Sequence, residues 1–242
     1  MSIAEKFEII ADAVYDKAVS DEREKLTKAI TDNGARTNFT YAFAFVNWSG
    51  YRFTETITPT SAFNHMFYSS YEMTELPSPI DYSKIATATN TNYDAYTYRR
   101  SVFGYCRSLE IVPDLNMKAI GGLEEWFIQC YKLHTIELLR VHKDTIYNNT
   151  FSMCDDLQNI NFDGEIGKSI SFKDSPLLSV ASMKNIITHL ADYSDSDEAD
   201  VNILTFHDNC WTALEASGKP SDDGISFSGT WREYVSALAW ET

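Results

Sequence analysis

One short phrase recurs through the middle of this chain at a fixed interval, and the recurrence restricts the fold more than any other feature. Residues 127–136 and 151–160 both read Phe-x-x-Cys-x-x-Leu-x-x-Ile: Phe127, Cys130, Leu133 and Ile136, then Phe151, Cys154, Leu157 and Ile160. Residues 103–109 carry the same start in Phe103, Cys106 and Leu109. An earlier copy runs Phe67, Ser70, Met73 and Leu76, with Ser for Cys and Met for the first Leu. Phe103, Phe127 and Phe151 are spaced 24 residues apart, and the cysteines keep that step. A period in this range, with small and apolar residues in phase, predicts a repeat solenoid.

The spacing has a physical reason. A turn of about 20–29 residues supplies one short strand and a return path, and cannot bury its apolar side alone. Stacking turns would lay Phe over Phe and Leu over Leu in a continuous core, with a small residue where the chain bends after the Phe. Leu133, Ile136 and Leu138, then Leu157, Ile160 and Phe162, suit short strands with polar residues facing out. The fold expected is mixed β with short helices, built on turns of about 24 residues.

The repeated phrase resembles the BspA-type leucine-rich repeats of bacterial surface and phage-encoded proteins. Residues 33–44, from Asn33 through Phe39 and Phe43 to Ala44, resemble the lead-in of prophage and gut-phage members. The likeness spans roughly residues 30–190 and implies an adhesive or structural role rather than a reaction. Such a motif specifies fold far better than partner.

A net charge of −15 argues against a nucleic-acid surface, because phosphate binding needs clustered Lys and Arg, and Arg99-Arg100 is the nearest approach to one. No apolar run is long enough for membrane insertion. The opening residues, Met1 to Phe7, show neither a basic leader nor an uninterrupted apolar segment, so no secretory signal is expected. Four cysteines do not make a disulfide framework. Three belong to the repeat and read as a column of small, reduced side chains.

In chain order, residues 1–34 form an N-terminal helical segment. Ile3, Phe7, Ile10 and Val14 give residues 2–19 one apolar stripe, suited either to capping the first turn or to a homo-oligomer of parallel helices. A second helix is expected to be capped by Asp21, with Glu24 completing a capping box. Residues 35–181 form the solenoid, with Phe43, 24 residues before Phe67, in a degenerate first turn. The step from Phe67 to Phe103 is 36, which places an insertion at about 81–98. Residues 182–242 form an α/β cap: a helix opened by Ser182 with Met183, Ile186, Ile187 and Leu190 on one side, a strand from Val201 to Phe206, and a helix from Thr230 to Leu238. A closing strand at Ala239–Thr242 is expected to be short or absent.

Insertions in such stacks become loops on one face, often the binding face. Nine of the fourteen tyrosines lie between residues 41 and 105. Tyr with Ser, Thr and Asn is also the composition of binding loops. Trp48, Tyr51, Tyr93, Tyr96 and Tyr98 are therefore the candidate contact residues; the alternative is that these rings pack along the flank.

Signals for chemistry are weak, and no catalytic residue, metal site or cofactor is expected. Gly167-Lys168-Ser169 ends like a phosphate loop, but the residue five before Gly167 is Phe162 rather than Gly. The five histidines form no His-x-x-x-His pair. Asp195, Asp197 and Asp200 offer oxygens for calcium without the order of a calcium loop. Glu124 and Glu125 are paired carboxylates with no cleft assignable from sequence.

Three functions remain in order. The first is a non-enzymatic virion-associated protein of a phage tail or fibre, assembled in the host cytoplasm, binding a protein or glycan of the host surface or a neighbouring virion protein. The second is a bacterial cell-surface or interaction module on the same scaffold. The third is a glycan-degrading enzyme, which would need two carboxylates poised across a groove.

Overall fold

The computed structural model describes Asp21, Glu24, Tyr41 and residues 43–45, 56–57, 63–76, 80, 100–118, 121–196 and 201–242. The stripe at residues 2–19 and the insertion at 81–98 lie outside the described residues. Asp21 and Glu24 are both helical, so Asp21 sits inside its helix rather than capping it.

Among the described residues from 111 onward there are seven short strands and three α-helices, with a 3-10 turn at Pro220–Asp223. A first sheet holds β1 (Ile111–Val112), β2 (Leu115–Asn116), β3 (Thr135–Arg140) and β4 (Asn159–Asp163). β1 and β2 lie end to end beside β3, and β4 pairs with its other side, all in parallel. Ile111 pairs with Thr135 and Thr135 with Asn159, so each residue meets the one 24 positions later. A bulge between Ile136 and Leu139 brings Phe162, not residue 163, opposite Leu139. Parallel pairing follows from the sequence because each strand is separated from the next by a full return path, too long for a hairpin.

The repeated phenylalanines form a column. Ring centroids are 5.5 Å apart for Phe43–Phe67, 5.6 Å for Phe67–Phe103 and Phe103–Phe127, and 5.9 Å for Phe127–Phe151. Interplanar angles in these pairs are 25° or less, the offset-stacked arrangement that suits aromatic quadrupoles. Phe172 and Phe206 extend the column to 4.8 and 5.9 Å from their predecessors, although their sequence steps are 21 and 34. Met73, Leu109, Leu133 and Leu157 are buried beside it, as are Ile136 and Ile160.

The small residue of the repeat has a bonding role beyond its size. Ser70 Oγ donates to the Phe43 carbonyl, Cys106 Sγ to Phe67, Cys130 Sγ to Phe103 and Cys154 Sγ to Phe127, at 3.0–3.2 Å. Each turn is thereby tied to the Phe of the turn before it. Ser175 and Cys210 continue the row, donating to the carbonyls of Cys154 and Ser175. All four cysteines are free and buried. Burial pushes the Cys106 thiol up to about 12 and raises Cys130 and Cys154 as well, so they stay protonated donors.

Each copy also holds two residues in the left-handed region, two positions before and after its Phe, and none is glycine. The pairs are Tyr41/Phe45, His65/Ser69, Ser101/Tyr105, Glu125/Gln129 and Asn149/Met153. Such a residue costs roughly 1–2 kcal/mol. The compensation is a backbone ladder: the N–H groups of Glu125, Phe127 and Gln129 donate to Asn148, Thr150 and Ser152 of the following turn at 2.9–3.0 Å. The same three bonds join the copy at Phe103 to the copy at Phe127.

After β4 the pattern changes. β5 (Ile170–Phe172), β6 (Asn202–Phe206) and β7 (Trp240–Glu241) form a second parallel sheet, and β7 is the short closing strand. Helix α1 (Val180–Thr188) is capped by Ser179, whose Oγ accepts from the Ser182 N–H. Ser182 therefore lies within the first turn rather than opening the helix. Its Oγ accepts the Ile160 N–H, and Asn185 Oδ1 accepts the Phe162 N–H, at 2.9 and 2.7 Å. These two side chains occupy the free edge of β4, while Met183, Ile186 and Ile187 face the core. The later strand starts at Asn202, one residue after the expected Val201.

Helix α2 (Asp208–Ala216) was not legible as a helix. Its N-cap is His207, whose Nδ1 accepts the Asn209 N–H, and its buried face is Cys210, Trp211 and Leu214. Helix α3 (Trp231–Ala237) begins at a Thr230/Glu233 capping box and buries Trp231 and Val235. Trp240 Nε1 then donates to the Ala191 carbonyl, fastening β7 to the start of the connection after α1.

Candidate functional site

Because the chain advances by equivalent positions, residues flanking each Phe line up in rows outside the core. Between two such rows lies a cleft of about 430 Å³, lined by Asn64, His65, Tyr68, Arg100, Ser101, Tyr105 and Glu125. His65, Ser101 and Glu125 are equivalent left-handed positions in successive copies, and the backbone ladder sets them above one another.

Rings form one wall. Tyr41 stacks on His65 at 4.6 Å, His65 meets Tyr68 edge-on at 4.9 Å, and Tyr68 lies 5.0 Å from Tyr105. Phe45 adds a T-shaped contact with Tyr68 at 5.9 Å. Tyr41 and Phe45 remain 51% and 68% exposed, which leaves this ring cluster facing solvent. Large exposed aromatic surface beside polar groups is the usual mark of a contact site.

A charge pair forms the other wall. Arg100 donates from Nε and Nη2 to the two oxygens of Glu125 at 2.9 and 2.7 Å, a bidentate pair, and Ser101 Oγ donates to Glu125 Oε2 at 2.9 Å. Arg100, with help from Ser101, holds the Glu125 carboxyl below its usual value against the opposing cost of burial. Burial first and Arg100 second lower His65, so its imidazole is neutral at pH 7. Burial and then Tyr105 raise the Tyr68 phenol. Two shielded polar atoms of the cleft, Asn64 Oδ1 and His65 Nδ1, have no hydrogen-bond partner. Buried polar atoms without partners are uncommon enough to mark a place where something else binds.

A neighbouring surface carries Arg107 between the rings of Tyr71 and Tyr131, at 5.4 and 5.7 Å from their centroids. Tyr71 is 47% exposed. A second cleft, about 470 Å³, is lined by Lys143, Asp192, Tyr193, Ser194, Asp195 and Ser196. There Lys143 Nζ lies 4.7 Å from the Tyr193 ring centroid, and the Tyr193 hydroxyl donates to the Gly167 carbonyl. Lys168 and Ser169 precede a strand rather than a helix, and Ser169 Oγ accepts the Ile203 N–H.

Trp48, Tyr51, Tyr93, Tyr96 and Tyr98 all lie outside the described residues, as do Asp197 and Asp200 of the acidic loop. Among the described residues no group of three or more His, Cys, Asp or Glu is placed to hold a metal ion. The repeat residues Phe67, Phe103, Cys106, Leu109, Phe127, Cys130, Leu133, Ile136, Phe151, Cys154, Leu157 and Ile160 are brought together in the core.

The cleft residues were passed over in the sequence. Arg100 was weighed as part of a basic pair and Glu125 as part of an acidic one, when their relevance is to each other, 25 residues apart. The available signal was the repeat itself: Glu125 and Ser101 are one 24-residue period apart, and the 36-residue step from Phe67 to Phe103 also separates His65 from Ser101. Comparisons of the chain with protein-family models, curated proteins and solved structures find no match in any of the three.

Proposed function

We propose that the chain is a leucine-rich-repeat-like solenoid of BspA type that acts without catalysis, as a virion-associated adhesion or structural protein of a phage tail or fibre. One observation carries the recognition role: the stack presents a ring cluster of exposed Tyr41 and Phe45 with half-buried Tyr68 and Tyr105 beside a polar cleft. A surface fixed by a backbone ladder loses little freedom on binding, so contacts translate into affinity at low entropic cost. The assignment to a virion rests on the resemblance of the repeat phrase and of residues 33–44. Partners of this reading are a protein or glycan of a host surface, or neighbouring particle proteins, with self-association through residues 2–19 multiplying weak contacts.

The test is density-gradient fractionation of lysates in which the full chain is produced with its particle, alongside sedimentation of the purified chain with bacterial envelopes. Co-migration with particles, or sedimentation with envelopes, is the expected result. A chain that remains at the top of both gradients overturns the reading. Deleting residues 82–98 is expected to reduce envelope sedimentation while the far-ultraviolet spectrum keeps its shape.

A further inference from the structure

The cleft between His65 and Glu125 has a chemistry narrower than general adhesion. Its volume, about 430 Å³, falls within the range of about 300–1,000 Å³ common to small-molecule sites. Its charges cancel among the described lining residues: Arg100 is paired in bidentate fashion with Glu125. The chain as a whole carries −15, a net charge that disfavours anionic ligands. A neutral ligand is therefore favoured over a phosphorylated or acidic one.

The polar groups ask for hydroxyls. Asn64 Oδ1 is an acceptor lacking a donor, His65 Nδ1 accepts or donates according to its tautomer and also lacks a partner, and both residues are only half-buried. Ionised Glu125 has further lone pairs for donors beyond Arg100 and Ser101. The Tyr68 and Tyr105 hydroxyls serve in either direction. Their ring faces offer a flat apolar platform of the kind that C–H faces of a saturated ring cover.

Close packing beneath the cleft depends on one absent side chain. In the row that runs Tyr68, Gly104, Ile128 and Ser152, only the glycine adds nothing beyond the backbone. A Cβ at Gly104 would press to 3.2 Å on both Ser101 Cβ and Ile128 Cγ2. Gly104 lies between Ser101 and Tyr105, both of which line the cleft.

From these observations we infer that the cleft formed by Asn64, His65, Tyr68, Arg100, Tyr105 and Glu125 binds an uncharged sugar ring, a terminal or internal residue of a neutral glycan. The inference rests on the recognition reading above and names its ligand class. Catalysis is no part of it.

The experiment is saturation-transfer NMR on the purified full chain with methyl glucopyranoside, methyl mannopyranoside, methyl galactopyranoside and methyl N-acetylglucosaminide. N-acetylneuraminic acid, glucose 6-phosphate and a neutral Gly/Ser peptide serve as competitors of other classes. At least one neutral glycoside is expected to bind in the millimolar range, and its affinity to fall at least tenfold in Asn64→Leu and in Tyr105→Gly. Asn64→Leu keeps the side-chain volume and removes the acceptor. Tyr105→Gly removes a ring at a left-handed position that glycine accepts readily, so at least one variant retains the parent melting temperature. A Lys143→Ala control, in the other cleft, is expected to bind as the parent does. No neutral glycoside bound, affinity unchanged in a folded variant, or preference for the charged sugars or the peptide would each overturn the inference. Envelope or particle sedimentation read in parallel separates the two ideas: sedimentation without sugar binding sinks only the ligand class, whereas loss of both sinks the recognition role.

Discussion

Replacing Phe127 by Ala is the most demanding test of the column. The ring is fully buried, stacked on Phe103 at 5.6 Å and on Phe151 at 5.9 Å, with Trp126 edge-on at 6.4 Å. Burying a side chain of this size contributes about 1.5–3 kcal/mol. Each of the two stacked pairs adds about 0.5–1.5 kcal/mol beyond area. The sum, about 4 kcal/mol, falls inside the range of about 3–5 kcal/mol measured for Phe-to-Ala changes in other cores. With a urea slope of about 2 kcal/mol per M, the unfolding midpoint should fall by about 2 M. Equilibrium unfolding followed by far-ultraviolet circular dichroism reads this directly. Phe45→Ala, in the flanking ring cluster rather than the column and 68% exposed, should move the midpoint by less than about 0.3 M. Phe127→Leu, which keeps most of the volume, should cost about 1–1.5 kcal/mol and stands in if the Ala variant does not fold. A Phe127→Ala loss below about 1.5 kcal/mol would mean that the rings are not packed as a continuous column, and the reasoning would fail.

Cys130→Ser should stay within about 1 kcal/mol of the parent, because Ser70 and Ser175 already fill equivalent places, whereas Cys130→Ala loses the bond to the Phe103 carbonyl and about 1 kcal/mol more; paired urea titrations compare them. Met153→Gly should stabilise by about 1 kcal/mol, raising the melting temperature by about 2–4 °C in calorimetry, since Met153 is exposed with a φ of 58°. Stability should fall on acidification in two overlapping steps. His65, lowered in the fold, gives up its contribution from pH 6.5 downward through its folded value, because the unfolded chain binds the proton first. Glu125, also lowered, contributes fully above 4.5 and loses that contribution below it; Glu125→Gln should flatten this lower limb, by at most about 1 kcal/mol given the exposure of Arg100.

The sequence announced its core and concealed its surface. Phe, Cys and Leu at a period of 24 are legible because stacking repeats the same apolar demand in every turn. Phe172 and Phe206 enter the same column at steps of 21 and 34, which periodicity alone does not reveal. The left-handed residues were hidden because Tyr, Glu, Gln and Met fill places where glycine is the usual sign. The ladder between turns overrides that preference locally. Helix α2 was missed because its N-cap is a histidine and its buried face is only Cys210, Trp211 and Leu214. The cleft escaped for a further reason: His65, Arg100 and Glu125 are brought together by stacking, and no local window of sequence contains them.

The two polar side chains that α1 turns toward β4 have a consequence for assembly. Ser182 and Asn185 occupy the very donors, on Ile160 and Phe162, that a further strand would need. A second molecule cannot lengthen this sheet from that side by backbone pairing, however well its own strands match. The sheet has a fixed end, and its reach is set by the gene rather than by concentration. Any larger particle containing this chain must join copies by some route other than that edge of β4.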